Sequence, residues 1–291
     1  MLAFHSLWTA PVRAAGRVPT IPDYELVTMI LSALQWRRWN GKIRMMTDSE
    51  GMRLLEDAGL CELWNEGPEP ILDAIPREID PRLFWAAGKL AALRAMRFPC
   101  VMLDTDLIVW EPLKDRINGS SALAAHWEPL NPAVYPPPEK FFRLAPGYSF
   151  PNDWDFTMPA ANTAFLYLAD SGFAEKYTDA AFSFMRALQN RNADPTVAMC
   201  FAEQRILPMC AAASGIPLRC LLDVQALEQQ SLITHLWGHK RVLAASREQR
   251  EAYCLLCLRR ILTEFPAWAD VLAENRQLAP YLQKISSELD G

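Results

Sequence analysis

The stretch Val101-Met102-Leu103-Asp104-Thr105-Asp106-Leu107-Ile108-Val109-Trp110 places two carboxylates one residue apart between two apolar runs. In a strand, residues two apart share a face, so Asp104 and Asp106 are expected to point the same way. Two carboxylates converging in a partly dry site repel each other. One then takes a proton, or a cation sits against both. Oxygen ligands of this kind suit Mg2+ or Mn2+, usually shared with phosphate oxygens of a substrate. Asp-x-Asp by itself also arises at ordinary strand ends and turns, so the company it keeps decides its meaning.

That company lies far along the chain, in Thr234-His235-Leu236-Trp237-Gly238-His239-Lys240. Mn2+ accepts imidazole better than Mg2+ does, so Asp104, Asp106 and His235 form a candidate ligand set that leaves positions for two phosphate oxygens. His239 is the competing ligand, and a buried structural histidine is the plain alternative for either. Gly238 would let the backbone approach a diphosphate closely, and Lys240 would bring a point charge to it.

These groups need a scaffold that brings distant segments together. Leu2–Trp8 reads as a strand, Asp23–Trp39 as a helix and 42–47 as a short strand. Ser49 is then expected to cap a helix over 50–58 that Gly59 ends. Leu60–Trp64 reads as a further strand, 68–81 as a proline-punctuated loop, 82–97 as a helix, and 100–110 as one strand carrying both aspartates. Strand and helix alternate, which predicts an α/β domain with a mostly parallel sheet, and ligands of such sheets bind beyond the carboxyl ends of the strands.

The segment from Trp127 to Phe156 is rich in proline and aromatic residues, the composition of an ordered functional loop. A strand over 161–167, helices over 171–189 and 195–213, and short strands over 218–222 and 232–236 follow. From 246 to 289 the pattern is helical, with breaks at Pro266 and Pro280. We read 1–245 as the catalytic domain and 246–291 as a helical appendage packed on it.

Composition narrows the class. The 291 residues carry a net charge of −5 with no basic block, which disfavours binding to nucleic acid. No apolar run approaches the ~20 residues of a membrane span, and the N-terminus has no basic region ahead of its apolar part. The seven cysteines, an odd number lying mostly in apolar segments, suggest reduced thiols and a cytoplasmic protein. Cys254-Leu-Leu-Cys257 has metal-site spacing but no second pair, and helix packing is the better reading.

A strand bearing Asp-x-Asp, followed much later by His-x-x-Gly-x-Lys, resembles the GT-A glycosyltransferases, in particular the glycogenin and lipopolysaccharide galactosyltransferase group. The resemblance covers roughly residues 1–245 in element order. It implies a Rossmann-like GT-A fold with an added C-terminal helical segment, a nucleotide-sugar donor, UDP-sugar first, and a metal held by the aspartates and His235. Lys240 departs from the pattern, lying two residues after Gly238 rather than three. Ala202-Glu203-Gln204-Arg205-Ile206-Leu207 is similar to the segment whose acidic residue and Gln face the transferred sugar. The resemblance further implies donor contacts from Lys89, in Phe84-Trp85-Ala86-Ala87-Gly88-Lys89, and from Asn162. It sets Trp8, Thr9 and Asp48 at strand ends where the base and ribose rest. The aromatic segment would wall the acceptor side, with its exposed aromatics equally suited to a dimer interface.

The leading expectation is therefore a metal-dependent enzyme moving a sugar to a saccharide, peptide or other hydroxyl acceptor, with Asp106, Glu203 and Gln204 at the reaction centre. An inverting reaction would need a carboxylate base, from Asp153, Asp155 or Glu203. The alternatives are a catalytically weak binding or assembly module of the same fold, and a nucleotidyltransferase, although 9–19 lacks the Gly-rich basic loop of the latter.

Overall fold

The structure, a computed structural model, describes residues 1–190, 192–229 and 231–289. Its strands in chain order are β1 (Leu2–Leu7), β2 (Ile43–Thr47), β3 (Pro68–Glu69), β4 (Cys100–Leu103), β5 (Leu107–Val109), β6 (Ala122–Ala124), β7 (Trp127–Glu128), β8 (Ala160–Ala161), β9 (Phe165–Leu168), β10 (Leu218–Cys220) and β11 (Ile233–His235). Seven of them build the central sheet in the order β10-β6-β9-β4-β1-β2-β3. β3, β2, β1 and β4 run parallel, β9 runs against both β4 and β6, and β10 is parallel to β6. β5 pairs with β11 and β7 with β8 in two small antiparallel ribbons. The α/β class and mostly parallel sheet read from the sequence are thus present.

Both faces of the sheet are covered, as parallel strands require. Ala3, Met45, Val101, Leu103 and Tyr167 face one core, and Phe4, Met46, Cys100, Met102, Leu166 and Leu168 the other. This is the period-two alternation of a pleated strand, here apolar on both sides. The helix Asp23–Trp39 lies in the first core and is buried without a break from Leu26 to Trp36. A helix apolar all round needs a cover on its outer side. The helix Arg247–Glu264 supplies it through Cys254, Leu258 and Ile261, with Thr28 bonded to Tyr253 at 2.8 Å and Gln35 to Glu264 at 2.7 Å. Cys254 and Cys257 are free, and burial pushes their thiols up to about 12 and about 11, the behaviour of packing residues. The second core holds the helices Ala87–Ala95, Ser171–Ala187 and Ile206–Ala213.

Several expectations are corrected. Asp104 to Asp106 form a turn between β4 and β5, closed by the Leu107 amide on the Asp104 carbonyl at 3.1 Å, so 100–110 is not one strand. Aspartate favours turns because its side chain competes for local backbone groups. Cys61–Leu63 is a 3-10 turn rather than a strand, with Leu60, Leu63 and Trp64 buried at helical spacing, and short apolar runs do not distinguish the two. The expected helix over 82–97 is ordered only as Ala87–Ala95, because Leu83 and Phe84 are held by turns on the Asp80 carbonyl. Asp48, not Ser49, caps the next helix by accepting from the Gly51 amide at 2.9 Å. The strand expected over 161–167 is divided into β8 and β9. The loop over 68–81 contains β3 and the 3-10 turn Ile71–Ala74. Pro266 opens a 3-10 turn, but Pro280 sits in the first turn of Ala279–Leu289, where a missing N–H costs nothing.

The aromatic segment also turns inward. Phe142 and Trp154 are buried, and Phe142, Phe150, Phe184 and Phe201 pack in edge-to-face, tilted and stacked pairs at 4.7–6.2 Å between centroids. Phe141, Phe142, Tyr148, Phe150, Trp154 and Phe156 pack on the second core rather than forming an open aromatic wall, while Trp127 stays 37% exposed. Among the described residues, no helix is long and apolar enough to cross a membrane.

Candidate functional site

The parallel strands β1, β2 and β4 end at Leu7, Thr47 and Leu103 on one edge of the sheet. A cleft of about 200 Å³ opens there, lined by Ser6, Trp8, Trp85, Lys89, Asp104, Thr105, Asp106 and Lys240. The aspartate turn forms its floor. The Asp104 amide bonds the Ala164 carbonyl at 2.8 Å, and the Leu236 amide bonds the Asp106 carbonyl at 3.0 Å. The second bond continues the β5–β11 ribbon, whose register sets His235 opposite Leu107. Two segments more than a hundred residues apart are thereby locked side by side.

One ligand atom from each of Asp104, Asp106 and His235 lies within 4.8 Å of the others. Ligands on an octahedral ion at ~2.1 Å stand roughly 3 Å apart when adjacent and about 4.2 Å when opposite, so this spacing suits a single divalent cation. The donor set, two carboxylates and one imidazole, suits Mn2+ with Mg2+ as the harder alternative. His239, the competing ligand, instead opens the helix His239–Ala245.

Basic side chains already meet Asp106. Lys240 Nζ is 3.0 Å from Asp106 Oδ2 and His235 Nε2 is 3.6 Å from the same oxygen. Burial alone would raise the Asp106 pKa, but His235 and Lys240 outweigh it and hold the carboxyl well below its usual range. The residue missing between Gly238 and Lys240 does not prevent this contact, since Lys240 sits in the first turn after the Gly238 cap. Gly238 has φ −65°, and a Cβ there would meet nothing within 4 Å, so the space beside it is open. Trp237 is 68% exposed and stacks on His235 at 6.4 Å.

Lys89 lines the cleft, where its ammonium is held by two carboxylates. Its Nζ lies 2.6 Å from Asp104 Oδ1 and 2.5 Å from Glu203 Oε1, bridging the turn to the helix on the far side of the cleft. Burial would lower its pKa, but the two carboxylates raise it above the ordinary lysine value, so it is charged. The adjacent Gly88 is required by packing: a Cβ there would lie 2.7 Å from Trp8 Cβ. Trp8 thus combines a place in the cleft lining with close contact to the helix bearing Lys89.

Glu203 and Gln204 sit in a π-helical segment, Phe201–Arg205, between two α-helical stretches of the expected 195–213 helix. Such bulges re-aim side chains and recur at functional sites. Glu203 is 2% exposed and accepts from Thr163 Oγ1 at 2.6 Å. Tyr177 donates to its carbonyl at 2.6 Å. Arg205 donates to the carbonyls of Phe156 and Met158, tying the end of the aromatic segment to the same bulge.

A second polar cluster was not legible as a motif. Asn162 Nδ2 donates to Glu128 Oε1 at 2.7 Å, and the Tyr135 hydroxyl contacts Glu128 Oε2 at 2.6 Å and Gln204 Oε1 at 2.5 Å. A phenol has one proton, so with Tyr135 donating to Glu128 the Gln204 amide is satisfied by turning its NH2 toward the phenol oxygen. Glu128, Tyr135 and Thr163 are the members that sequence reasoning missed, since nothing in their spacing marks them.

Thr9 and Asp48 are brought together, but by each other. The Asp48 carboxylate, 1% exposed, accepts from the Thr9 amide and hydroxyl, the Gly51 amide and Arg13 at 2.7–3.1 Å. It fixes the ends of β1 and β2, and neither residue lines the cleft. Asp153 and Asp155 are exposed on the aromatic segment, and Asp155 is engaged with Thr157.

Solved structures similar to this chain include the galactosyltransferase LgtC in complex with donor and acceptor sugar analogues, at 12% identity over 75% of this chain and 73% of that chain, TM-score 0.34. Mouse xyloside xylosyltransferase 1 in its apo form is similar at 12% identity over 79% and 90%, TM-score 0.37. The glycosyltransferase GlyE of Streptococcus pneumoniae TIGR4 is similar at 14% identity over 80% and 54%, TM-score 0.39. No curated protein matches the chain. Residues 1–271 match the Family of unknown function (DUF6734), and the chain belongs to that family.

Proposed function

We propose that this protein is a metal-dependent glycosyltransferase that moves a sugar from a nucleotide-sugar, a UDP-sugar first, to an acceptor hydroxyl. The observation that carries the reading is the convergence of Asp104, Asp106 and His235 on one point of a cleft at the carboxyl edge of a parallel sheet. A divalent cation held there supplies Lewis-acid stabilisation of a departing diphosphate. Lys240, on the cleft lining, adds a positive charge for phosphate. Lys89 neutralises Asp104 and Glu203 together and keeps two carboxylates close without mutual repulsion. Trp8 and Trp85 offer aromatic faces to a base or sugar ring, and Trp85 is 48% exposed. Glu203 and Gln204 are the proposed pair facing the transferred sugar, presented by the π-bulge. Asn162 and Glu128 offer an amide and a carboxylate to sugar hydroxyls. The free cysteines accord with a cytoplasmic location.

The test is thermal unfolding of the protein against a panel of nucleoside diphosphates, with and without Mn2+. Ligand at a hundred times its Kd stabilises the native state by about 2.7 kcal/mol. The expected result is a shift for one nucleotide that requires Mn2+ and disappears in Asp106→Ala. The absence of a shift with every nucleotide, Mn2+ present, overturns the reading.

A further inference from the structure

Behind the aspartate turn, on the side away from the cleft, runs a buried polar chain that the proposed chemistry does not use. Trp64 Nε1 lies 3.3 Å from His5 Nδ1, His5 Nε2 lies 3.1 Å from Ser32 Oγ, and Ser32 Oγ lies 2.5 Å from the Leu107 carbonyl oxygen. His5, Ser32 and Leu107 are 0% exposed and Trp64 is 2% exposed. The four residues come from β1, the helix Asp23–Trp39, the turn before β3 and the first residue of β5.

The direction of every bond in this chain is forced. An indole N–H only donates, so His5 Nδ1 accepts and the ring proton sits on Nε2. Nε2–H then donates to Ser32 Oγ. A carbonyl only accepts, so the single hydroxyl proton of Ser32 points at Leu107. No member can reverse without leaving a buried polar group unpaired. His5 is neutral, its pKa lowered to about 3 by burial, an effect that the charge of Asp106 only partly offsets.

The end of the chain matters because of where Leu107 stands. β11 binds the carbonyl of Asp106 and the amide of Trp110. In an antiparallel ribbon alternate residues face away from the partner strand, so the Leu107 carbonyl points out of the ribbon and has no strand partner. Ser32 supplies the missing donor. The Leu107 amide closes the turn on the Asp104 carbonyl. The residue that ends the Asp104-Thr105-Asp106 turn is therefore tied at both of its backbone groups.

We propose that His5 and Ser32 are positioning residues that fix the Asp104–Asp106 turn through a one-way hydrogen-bond relay from Trp64 to the Leu107 carbonyl. This rests on the reading that the turn holds a divalent cation, and it extends the machinery of that site into the core between the sheet and the Asp23–Trp39 helix.

Three measurements test it. Nitrogen-detected NMR of the wild-type protein at neutral pH is expected to show His5 as the neutral Nε2–H tautomer; an Nδ1–H tautomer or a charged ring overturns the relay. Hydrogen exchange of Ser32→Ala is expected to rise at least tenfold in 104–109 while 43–47 keeps its wild-type rate, with Ser32→Thr restoring protection. Unchanged exchange in 104–109 overturns it, and so does a uniform rise across both segments. Titration with Mn2+ alone is expected to show roughly 10–100-fold weaker binding in Ser32→Ala than in wild type, the usual cost of losing a group that orients a ligand. Equal affinity in the two proteins overturns the positioning role. If wild type binds no Mn2+, the metal reading fails, while the tautomer and exchange results still decide the relay.

Discussion

The two polar clusters either side of the Lys89–Glu203 ion pair are built on opposite principles. At the aspartate turn, carboxylates are balanced by cations, Asp106 by Lys240 and Asp104 by Lys89, with the His235 imidazole beside Asp106. At Glu128 the carboxylate is balanced by neutral donors, Asn162 and Tyr135. A cation can be exchanged for another cation, because the attraction is non-directional and depends on charge and distance. A set of neutral hydrogen bonds depends on donor geometry and is lost when one partner leaves. The first cluster therefore has the chemistry of a place where charge comes and goes, and the second that of a fixed frame. The two are joined through consecutive residues, Asn162-Thr163 on one side and Glu203-Gln204 on the other.

The link between them is where the largest effect is expected. Lys89→Met removes the ammonium shared by Asp104 and Glu203 and leaves Glu203, 2% exposed, beside a like charge. Breaking a buried pair by removing one partner costs about 3–5 kcal/mol. Urea unfolding is expected to show a loss of that order, with Mn2+ recovering part of it by binding the freed Asp104. A loss below about 1 kcal/mol would show that the ion pair is not what holds the two clusters together.

A smaller effect, confined to the second cluster, is expected from Tyr135→Phe. The change removes the hydroxyl that meets both Glu128 and Gln204, leaving the half-buried Glu128 carboxylate short of a donor and the Gln204 amide short of an acceptor, at a cost of about 1 kcal/mol. Chemical unfolding reads the loss, and the Mn2+-dependent nucleotide shift is expected to persist in the variant. Disappearance of that shift would break the contrast and make the Glu128 frame part of cation binding.

The same contrast explains what could be read from the sequence. Groups that can hold a cation are few in type and carry their meaning in spacing, so Asp104, Asp106 and His235 stood out together, with Lys240 close behind them in sequence. Their secondary structure did not: the pattern of 100–110 is that of a continuous strand, and only the fold turns it at Asp104. Glu128, Tyr135 and Thr163 have no such signature, because a neutral hydrogen-bond frame can be assembled from many residue types. The long helices and the alternating core strands were legible from periodicity. Leu60–Trp64 was not, since five apolar-rich residues satisfy strand and turn alike. The aromatic segment misled because composition reports that aromatics are present, not which way they face. Asp48 and Thr9 were placed at strand ends correctly, but their mutual bonding depends on a close approach of 39 positions in sequence that no local pattern encodes.

Two glycines separate the demands of the fold from those of the ligand. At Gly51 a Cβ would lie 2.1 Å from Thr47 Oγ1 and 3.2 Å from the Leu7 carbonyl oxygen, so the residue is needed to seat the helix against the ends of β1 and β2. At Gly238 nothing lies within 4 Å and the backbone is in the ordinary helical region, so the fold makes no such demand. Gly238→Ala is therefore expected to leave unfolding stability within about 0.5 kcal/mol of wild type, the range of surface substitutions without a special role. If a diphosphate approaches the backbone at this point, the added methyl group lies in its path. The Mn2+-dependent nucleotide shift would then shrink while stability stayed unchanged. An undiminished shift would remove Gly238 from the site and leave Lys240 as the contribution of this segment to the donor. A loss of stability would show instead that the open space is filled when the protein folds in solution.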